Sequence, residues 1–178
     1  MKKIFLVFVL FTLSCDNEPI NVDVLISGGT IHDGSGTNGY IGNVAIKNDT
    51  IFYVGKNNNF LANQTIDATG KVVSPGFINM LSWGYNTLMQ DGRSLSDLKQ
   101  GVTLEVFGEG TSPGPTGSIR NNNYVSFGEA MEKLESSGVS TNIASYLGSA
   151  TVRIQEVGYG NRKATFEEMN SMKNIVRI

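Results

Sequence analysis

The stretch with the most chemical promise is residues 74–84, SPGFINMLSWG, which reads as the end of a buried strand that runs into a loop. Parallel α/β folds place their chemistry where strands end, so metal-binding or catalytic side chains would be expected there. The stretch offers Leu81, Ser82 and Trp83 instead. Neither leucine nor tryptophan can bind a metal ion. The stretch has therefore either lost its metal ligands or never used them.

Two carboxylates and a single histidine are the other candidates for a metal-binding or catalytic role. Glu109 follows a predicted strand and stands between two glycines, which allow a close approach of the backbone. Glu105 lies within that strand. If Leu104 and Val106 face the helices, Glu105 points into a barrel interior, where a buried carboxylate needs a partner, and we expect a structural role. His32 is the only histidine, so it cannot build a histidine-rich metal site, and we expect a surface turn residue.

The composition is that of a globular chain without affinity for nucleic acid. Of the 178 residues, 40% are hydrophobic and 17% are charged, which is typical of a domain with a sizeable core. A net charge of −2 lacks the basic surface that nucleic-acid binding needs. Cys15 is the only cysteine, so neither an internal disulfide nor a cysteine-based zinc site can form.

The N-terminus is predicted to be a bacterial lipoprotein signal. A basic start precedes an apolar run at residues 4–13, which is too short to cross a bilayer as a helix. A small residue, Ser14, precedes Cys15, although Thr12 stands where such signals usually carry an aliphatic residue. We expect cleavage before Cys15, lipidation of that cysteine, and a place in the cell envelope, anchored in the periplasm or outer membrane. An ordinary secretory signal is the alternative.

The remaining chain is predicted to contain two structural regions. After the signal at 1–15 and a linker at 16–21, residues 22–73 contain short strands punctuated by glycine. They include a strand at 22–27 that ends at Gly28-Gly29, and a hairpin turned at 48–50. This pattern predicts a portion of a β-sandwich. Residues 74–178 form the second region.

The second region alternates strands with helices, which is typical of a parallel sheet, either doubly wound or a (β/α) barrel. Strands are predicted near 72–78, 102–107 and 142–147, the last with an extension toward 154 left open. Helices are predicted at 94–100, at 126–138 and from Thr165 onward, each opened by a serine or threonine with an acidic residue three positions later. The last helical pattern still runs at Ile178 without a C-cap, so we expect a truncated chain.

Four segments, in this order, resemble the amidohydrolase superfamily and its N-acyl-D-amino-acid deacylase (D-aminoacylase) branch: DVLISGGTIHDGSG, NVAIKNDTIFYVG, TIDATGKVVSPGFIN and LKQGVTLEVFGEG. The resemblance runs from about Val22 to the end. It implies part of a composite β-sandwich at residues 22–73, followed at residues 74–178 by a truncated barrel, the first strand–helix units of an incomplete (β/α)8 TIM barrel. It also implies a small-molecule amide substrate and one or two divalent metal ions, usually zinc, which generate hydroxide and polarise the amide carbonyl.

The sequence departs from the metal-binding pattern of the family it resembles. The His-x-His pair that ends the family's first strand matches Leu81 and Trp83, and Asn79 stands in place of an aspartate. The branch's cysteine after the second strand matches Gly110 or, with a shift of one residue, Glu109. The resemblance therefore makes Glu109 the candidate metal ligand, and a solvated loop carboxylate or a helix-capping partner is the alternative.

Two functions stay open at this point. The first is an N-terminal fragment of a metal-dependent amidohydrolase acting on non-peptide C–N bonds; by itself we expect the fragment to be inactive, because three of eight strands leave an open edge. The second is a pseudo-enzyme that keeps the fold for binding or scaffolding. The missing His-x-His favours the second, whereas the glycine framework and Glu109 favour the first. The sequence alone identifies neither the catalytic residues nor the substrate-binding residues.

Overall fold

The computed structural model describes residues 18–117 and 123–177, which belong to two compact units divided between Pro75 and Gly76. The predicted signal segment and Cys15 lie outside the described residues. Among the helices of the described part, none is long and apolar enough to cross a membrane. The described elements of the chain are of the mixed α/β class, as predicted from the sequence, with strands in the first unit and both strands and helices in the second.

The first unit is a five-stranded mixed sheet. Its strands are β1 Ile20–Ile31, β2 Tyr40–Lys47, β3 Thr50–Gly55, β4 Phe60–Asp67 and β5 Val72–Val73. The order is β3-β2-β1-β4, and β5 pairs with the end of β1. Strand β1 is antiparallel to β2 and parallel to β4. The predicted hairpin is confirmed as β2–β3, with Asn48 in the turn at a φ of 55°.

Strand β1 is longer than the predicted strand at 22–27, because it does not end at its two glycines. Gly28 has a φ of 74°, and the register with β2 shifts between Ile26 and Gly29. The glycines therefore form a bulge inside the strand. Val22 and Leu25 of β1 pack into the small core of this unit. Within residues 18–75 we find one sheet, and not the second layer that a sandwich requires.

The second unit is built on a three-stranded parallel sheet in the order β6-β7-β8. Its elements are β6 Phe77–Asn79, α1 Tyr85–Leu88, α2 Leu95–Lys99, β7 Val102–Phe107, α3 Phe127–Ser136, β8 Asn142–Ser145, α4 Ser149–Val157 and α5 Phe166–Arg177. The predicted alternation of strands and helices is confirmed. Strand β7 has the predicted bounds.

Two strand predictions in this part of the chain need correction. The predicted strand at 72–78 is divided between β5 of one sheet and β6 of the other, because Pro75 has no N–H to give to a ladder. The open extension of the third strand toward 154 is wrong. Residues there form α4, which buries Val152 and Val157, whereas alternate burial would be needed to keep a strand.

Three predicted N-cap residues can be compared with the starts of the helices. The capping box of Ser126 and Glu129 is present on α3, and the Thr165 N–H donates to Glu168 at 2.8 Å at the start of α5. The predicted cap of α2 is wrong. Ser94 adopts the left-handed conformation with a φ of 44° and makes no cap hydrogen bond, because its hydroxyl donates to Glu105 at 2.6 Å instead.

Candidate functional site

The loops that follow the parallel strands are held together by backbone hydrogen bonds. The Ser82 N–H donates to the Val106 carbonyl at 2.9 Å, which fastens the loop after β6 to β7. The Ala150 N–H donates to the Gly110 carbonyl at 3.0 Å, which fastens the loop after β7 to the start of α4. Residues that the sequence places at three separate strand ends thus share one end of the sheet, where α/β folds carry their sites.

Glycines make this close approach possible. Gly108 has a φ of 88°, and a Cβ there would lie 2.0 Å from the Tyr146 carbonyl oxygen. A Cβ on Gly148 would lie 2.6 Å from the Ser112 nitrogen and 2.7 Å from the Gly110 oxygen. Real Cβ atoms do not approach backbone atoms so closely, so no larger residue fits either position.

Leu81 and Trp83, which stand where the family resemblance would place a His-x-His pair, are both exposed, at 53% and 66%. Trp83 leans toward the next strand end, since a Cβ on Gly110 would lie 3.4 Å from its indole ring. The side chain of Asn79 donates to the Asp97 carboxylate at 3.3 Å. A hydrocarbon chain and an indole therefore occupy this strand end, and neither supplies a metal ligand.

Glu109 stands exposed directly after β7, in the predicted position. Within residues 18–117 and 123–177, no three histidine, cysteine, aspartate or glutamate side chains come together as a metal-binding group. A zinc centre takes three or four protein ligands. The described residues therefore do not fit a metal centre by themselves, and we derive no catalytic step through a metal from them.

His32 is exposed just after β1, in the first unit, as expected of a surface turn residue. Its backbone N–H donates to the Val73 carbonyl at 2.9 Å. A Cβ on Gly39 would lie 2.5 Å from the imidazole ring, so the neighbouring loop folds against it. His32 therefore packs against the loop that follows β1, and we interpret its role as structural.

Glu105 is a buried acidic residue of the second unit, with 2% of its surface exposed. Its carboxylate accepts hydrogen bonds from the Ser82 hydroxyl at 2.7 Å, the Ser94 hydroxyl at 2.6 Å and the Thr141 hydroxyl at 2.9 Å. The expectation that a buried carboxylate finds partners is met. Sequence reasoning missed these hydroxyls because nothing in their spacing marks them.

The condition under which Glu105 would point into a barrel interior, that Leu104 and Val106 face the helices, is not met. Phe107 lies two residues further along the same strand and packs with Leu88 and Leu134 of the helices. Since alternate residues share a face, Glu105 lies on that face too. It therefore points toward the helices, and Leu104 and Val106 point to the other side.

A cavity of about 290 Å³ lies between the ends of β6 and β7. Trp83, Tyr85 and Phe107 supply aromatic walls. The Tyr85 and Phe107 rings meet edge to face, with centroids 6.4 Å apart and planes at 78°. Asn86 and Thr111 add polar groups. Sequence reasoning missed this cavity, because the short helix α1, which carries Tyr85, was not predicted.

The chain resembles known hydrolases in sequence. It is 28% identical over 176 residues to D-aminoacylase, and 25% identical over 174 residues to N-acyl-D-aspartate deacylase, both from Alcaligenes xylosoxydans xylosoxydans. Each alignment covers 90% of this chain and 35% of the relative. The predicted resemblance is confirmed: this chain is a homologue of D-aminoacylase. It spans about a third of the length of these curated relatives. No family model matches the sequence.

The backbone of this chain is also similar to those of solved deacylase structures. The crystal structure of D-aminoacylase, described as defining a novel subset of amidohydrolases, matches with a TM-score of 0.75 at 28% identity, over 86% of this chain and 35% of that one. N-acyl-D-glutamate deacylase from Bordetella bronchiseptica, solved with zinc and a phosphonate inhibitor, matches with a TM-score of 0.77 over 88% of this chain and 36% of that one. Because the two sequences are only 22% identical, this match supports the fold alone. A further D-aminoacylase structure concerns a binuclear metal centre.

Proposed function

We propose that this chain belongs to a metal-dependent amidohydrolase that cleaves amide bonds of small N-acyl compounds, with N-acyl-D-amino acids as substrates. One observation carries the proposal: sequence and backbone both agree with D-aminoacylase over most of the chain, at 28% identity and a TM-score of 0.75. A shared fold alone would not support a shared reaction. Agreement in sequence over 176 residues supports the reaction class.

The proposal includes an architecture. The five-stranded sheet would be a portion of a β-sandwich, and β6 to β8 would be the first strands of a (β/α)8 barrel. The parallel order β6-β7-β8, with helices between consecutive strands, supports this, because that unit repeats around such a barrel. Three strands cannot close a barrel, so we propose that the 178 residues alone are inactive.

Glu109 is our proposed metal ligand, and zinc our proposed metal. Support comes from its exposed position at the end of β7, between two glycines, and from the zinc and metal centres that the solved relatives are described with. A single carboxylate is not a zinc site. The other ligands would have to come from residues other than those described.

A second candidate function is binding without catalysis, as in a pseudo-enzyme of the same fold. It is favoured by one specific observation, namely that Leu81 and Trp83 place no metal-binding atom at the end of β6. In this alternative the loops after the strands would hold a ligand or a partner protein, and no metal would be bound.

We also propose that Cys15 carries a lipid that holds the protein at the bacterial membrane surface. The support is the order of a basic start, an apolar run and a single cysteine in residues 1–15. Mass spectrometry of the protein from the membrane fraction tests this directly. A diacylglycerol mass on an N-terminal Cys15 is expected, and a chain that begins elsewhere without lipid would contradict it.

The two functions are separated by metal content and hydrolysis in the protein as its source cell makes it. We expect near-stoichiometric zinc by elemental mass spectrometry and release of amino acid from an N-acetyl-D-amino acid. The variant Glu109→Ala should lose both zinc and activity. The matched variant Glu167→Ala removes an exposed carboxylate from the first turn of α5 and should keep both.

Other results would favour the alternative. A protein that contains no metal and releases no amino acid, yet folds cooperatively, would support binding without catalysis. Zinc that persists in Glu109→Ala would remove Glu109 from the proposed metal site without affecting the proposed reaction.

A further inference from the structure

One end of the sheet of the first unit, here called the anchor end, is formed by the starts of β1 and β4 and by the turn between β2 and β3. The Asn48 N–H in that turn donates to the Asp23 carboxylate, near the start of β1, at 2.6 Å. Strand β4 runs parallel to β1, and its first residue, Phe60, pairs with Ile20. These contacts hold the turn and the two strand starts together.

The anchor end is joined to Cys15 by a very short stretch of chain. Cys15 lies three residues before Glu18, the first residue that the structure describes, and five before Ile20. Because an extended chain spans at most about 3.6 Å per residue, the Cα atoms of Cys15 and Ile20 are no more than about 18 Å apart. The Ile20 N–H donates to the Asn59 carbonyl at 3.1 Å. A lipid on Cys15 would therefore keep the anchor end close to the bilayer surface.

Apolar side chains are exposed at the anchor end. Ile51 and Phe52 directly follow the turn, and 66% and 49% of their surface is exposed. Leu61, near the start of β4, is also exposed. Aromatic and large aliphatic side chains are favoured in the interfacial region of a membrane. Their position beside a short lipid tether makes the bilayer the partner that can cover them.

The charges at the anchor end indicate which lipids it would meet. Lys47 places its Nζ atom 6.0 Å from the centroid of the Phe52 ring, so its ammonium group can reach a headgroup phosphate while its hydrocarbon stem lies with the aromatic ring. Glu18 and Asp49 are exposed at the same end and offset this positive charge. The anchor end thus lacks the cluster of basic groups that attracts anionic lipids, and zwitterionic phospholipids suit it better.

We propose that the anchor end is a membrane contact, in which Ile51 and Phe52 enter the headgroup region of the bilayer that holds the lipid on Cys15. Its partner is a surface of zwitterionic phospholipid. This inference rests on the lipidation of Cys15, which is part of the proposed function, whereas the proposed hydrolysis does not enter into it.

The sheet would stand on the membrane by this end. Ile41 pairs with Thr30 at the opposite end of β1, and ten residues of strand from Ile20 to Thr30 span up to about 33 Å. Between the two ends, β4 exposes three polar side chains, Asn63, Gln64 and Thr65. A sheet that lay flat would remove such groups from water.

A fluorescent label at either end of the sheet tests this orientation. The lipidated protein is purified from the membrane fraction and placed in phosphatidylcholine vesicles that contain a doxyl-labelled phosphatidylcholine as quencher. Lipidation occupies the thiol of Cys15, which is the only cysteine of the chain, so an introduced cysteine is the single site for a bimane label. The label is attached in the variant Ile51→Cys and in the matched control Ile41→Cys, whose parent residue is 62% exposed at the opposite end.

We expect the label of Ile51→Cys to show a blue-shifted emission that the doxyl lipid quenches at least twofold. The label of Ile41→Cys should emit as it does in water and should stay unquenched. Both parent side chains are exposed, so the variants should fold, and their circular dichroism spectra check this. Phe52→Cys supplies a second label position at the anchor end, with the same expected result.

Three results would overturn the membrane contact. Equal quenching of the two labels would show that the sheet lies flat. A blue-shifted but unquenched label in Ile51→Cys would show that another part of the protein covers the anchor end. A label there that emits as in water would show that nothing covers it.

Failure of the lipid anchor itself is seen separately, by mass spectrometry. A protein without lipid on Cys15 would remove the anchor and, with it, the membrane contact. A lipidated protein whose Ile51→Cys label is unquenched would keep the anchor and refute only the membrane contact.

Discussion

The Ser82 hydroxyl lies 2.7 Å from the Glu105 carboxylate and donates a hydrogen bond to it. Ser94 and Thr141 donate two more, at 2.6 and 2.9 Å, to its other oxygen. The three hydroxyls come from the loops after β6, before α2 and before β8. Glu105 therefore joins three loops to one strand from a nearly buried position, and we interpret it as a structural anchor of the second unit.

Replacing this anchor should destabilise the second unit. The variant Glu105→Leu leaves three hydroxyls without their acceptor, so we expect the free energy of unfolding to fall by about 3 kcal/mol. Urea unfolding followed by Trp83 fluorescence measures it, because Trp83 lies in the same unit. The control Glu132→Leu makes the same change at an exposed position of α3 and should cost less than about 0.5 kcal/mol. Equal losses in the two variants would contradict the anchor.

The left-handed backbone of Ser94 leads to a second prediction, which concerns the stability of two variants at this position. Its φ of 44° is in the left-handed region, which costs roughly 1 kcal/mol for a residue with a Cβ. Both Ser94→Ala and Ser94→Gly lose the hydrogen bond to Glu105, but glycine also removes this strain. We expect Ser94→Gly to be more stable than Ser94→Ala by about 1 kcal/mol in the same urea experiment. If alanine is the more stable, the left-handed conformation does not hold in solution.

Local patterns account for what could be predicted from the sequence. The turn at Asn48 and the capping boxes at Ser126 and Thr165 depend on residues within four positions of each other, and all three are present. The extension of the third strand toward 154 was wrong, because a segment of this length fits either a strand or a helix until its packing is known. The division at Pro75 was missed, although proline has no N–H to give to a ladder.

The surroundings of Glu105 and Trp83 could not be predicted in this way. Ser82, Ser94 and Thr141 lie 23, 11 and 36 residues from Glu105 along the chain. Only the folded sheet brings them together. Serine and threonine are also common in loops, so their presence before an element carried no signal for a partner inside a strand.

We expect Asn43 to act as a similar structural anchor in the first unit. It is 8% exposed, and its side-chain oxygen accepts from the Gly28 N–H at 3.0 Å, while its amide donates to the Asn57 carbonyl at 2.9 Å. The variant Asn43→Leu leaves both groups unpaired and should cost about 2 kcal/mol. Hydrogen exchange of the Gly28 amide should accelerate. In the control Asn58→Leu, at an exposed position, the exchange rate of that amide should stay as in the parent protein.

Two glycines with positive φ should respond very differently to alanine. A Cβ on Gly108 would lie 2.0 Å from the Tyr146 oxygen, whereas Gly138, with a φ of 80°, has open space around it. Gly138→Ala therefore costs only the left-handed strain, about 1 kcal/mol. Gly108→Ala must also push β7 from the loop after β8, so we expect at least about 3 kcal/mol in urea unfolding. Similar losses would show that the close approach at Gly108 is not maintained.

Glu168 links the stability of α5 to pH. Hydrogen bonds from the Arg162 side chain and the Thr165 N–H lower the pKa of Glu168 from 4.5 to about 2. Because the pKa is lower in the folded state than in the unfolded state, the ionised carboxylate stabilises the fold. This contribution is complete above pH 4.5 and is lost as the pH falls toward 2. A titration of the Glu168 side chain by NMR should show the depressed pKa directly.

The variant Glu168→Gln separates this effect from general acid unfolding. It should be less stable than the parent protein at pH 6, and the difference between the two should shrink as the pH falls from 4.5 to 2, because the parent then loses the same charge. Unfolding of the helices, followed by circular dichroism across this range, measures it. The control Glu167→Gln removes the neighbouring charge of the same helical turn, which makes no hydrogen bond with the described residues. A difference between Glu168→Gln and the parent that stays constant with pH would show that the contact with Arg162 does not depend on the charge of Glu168.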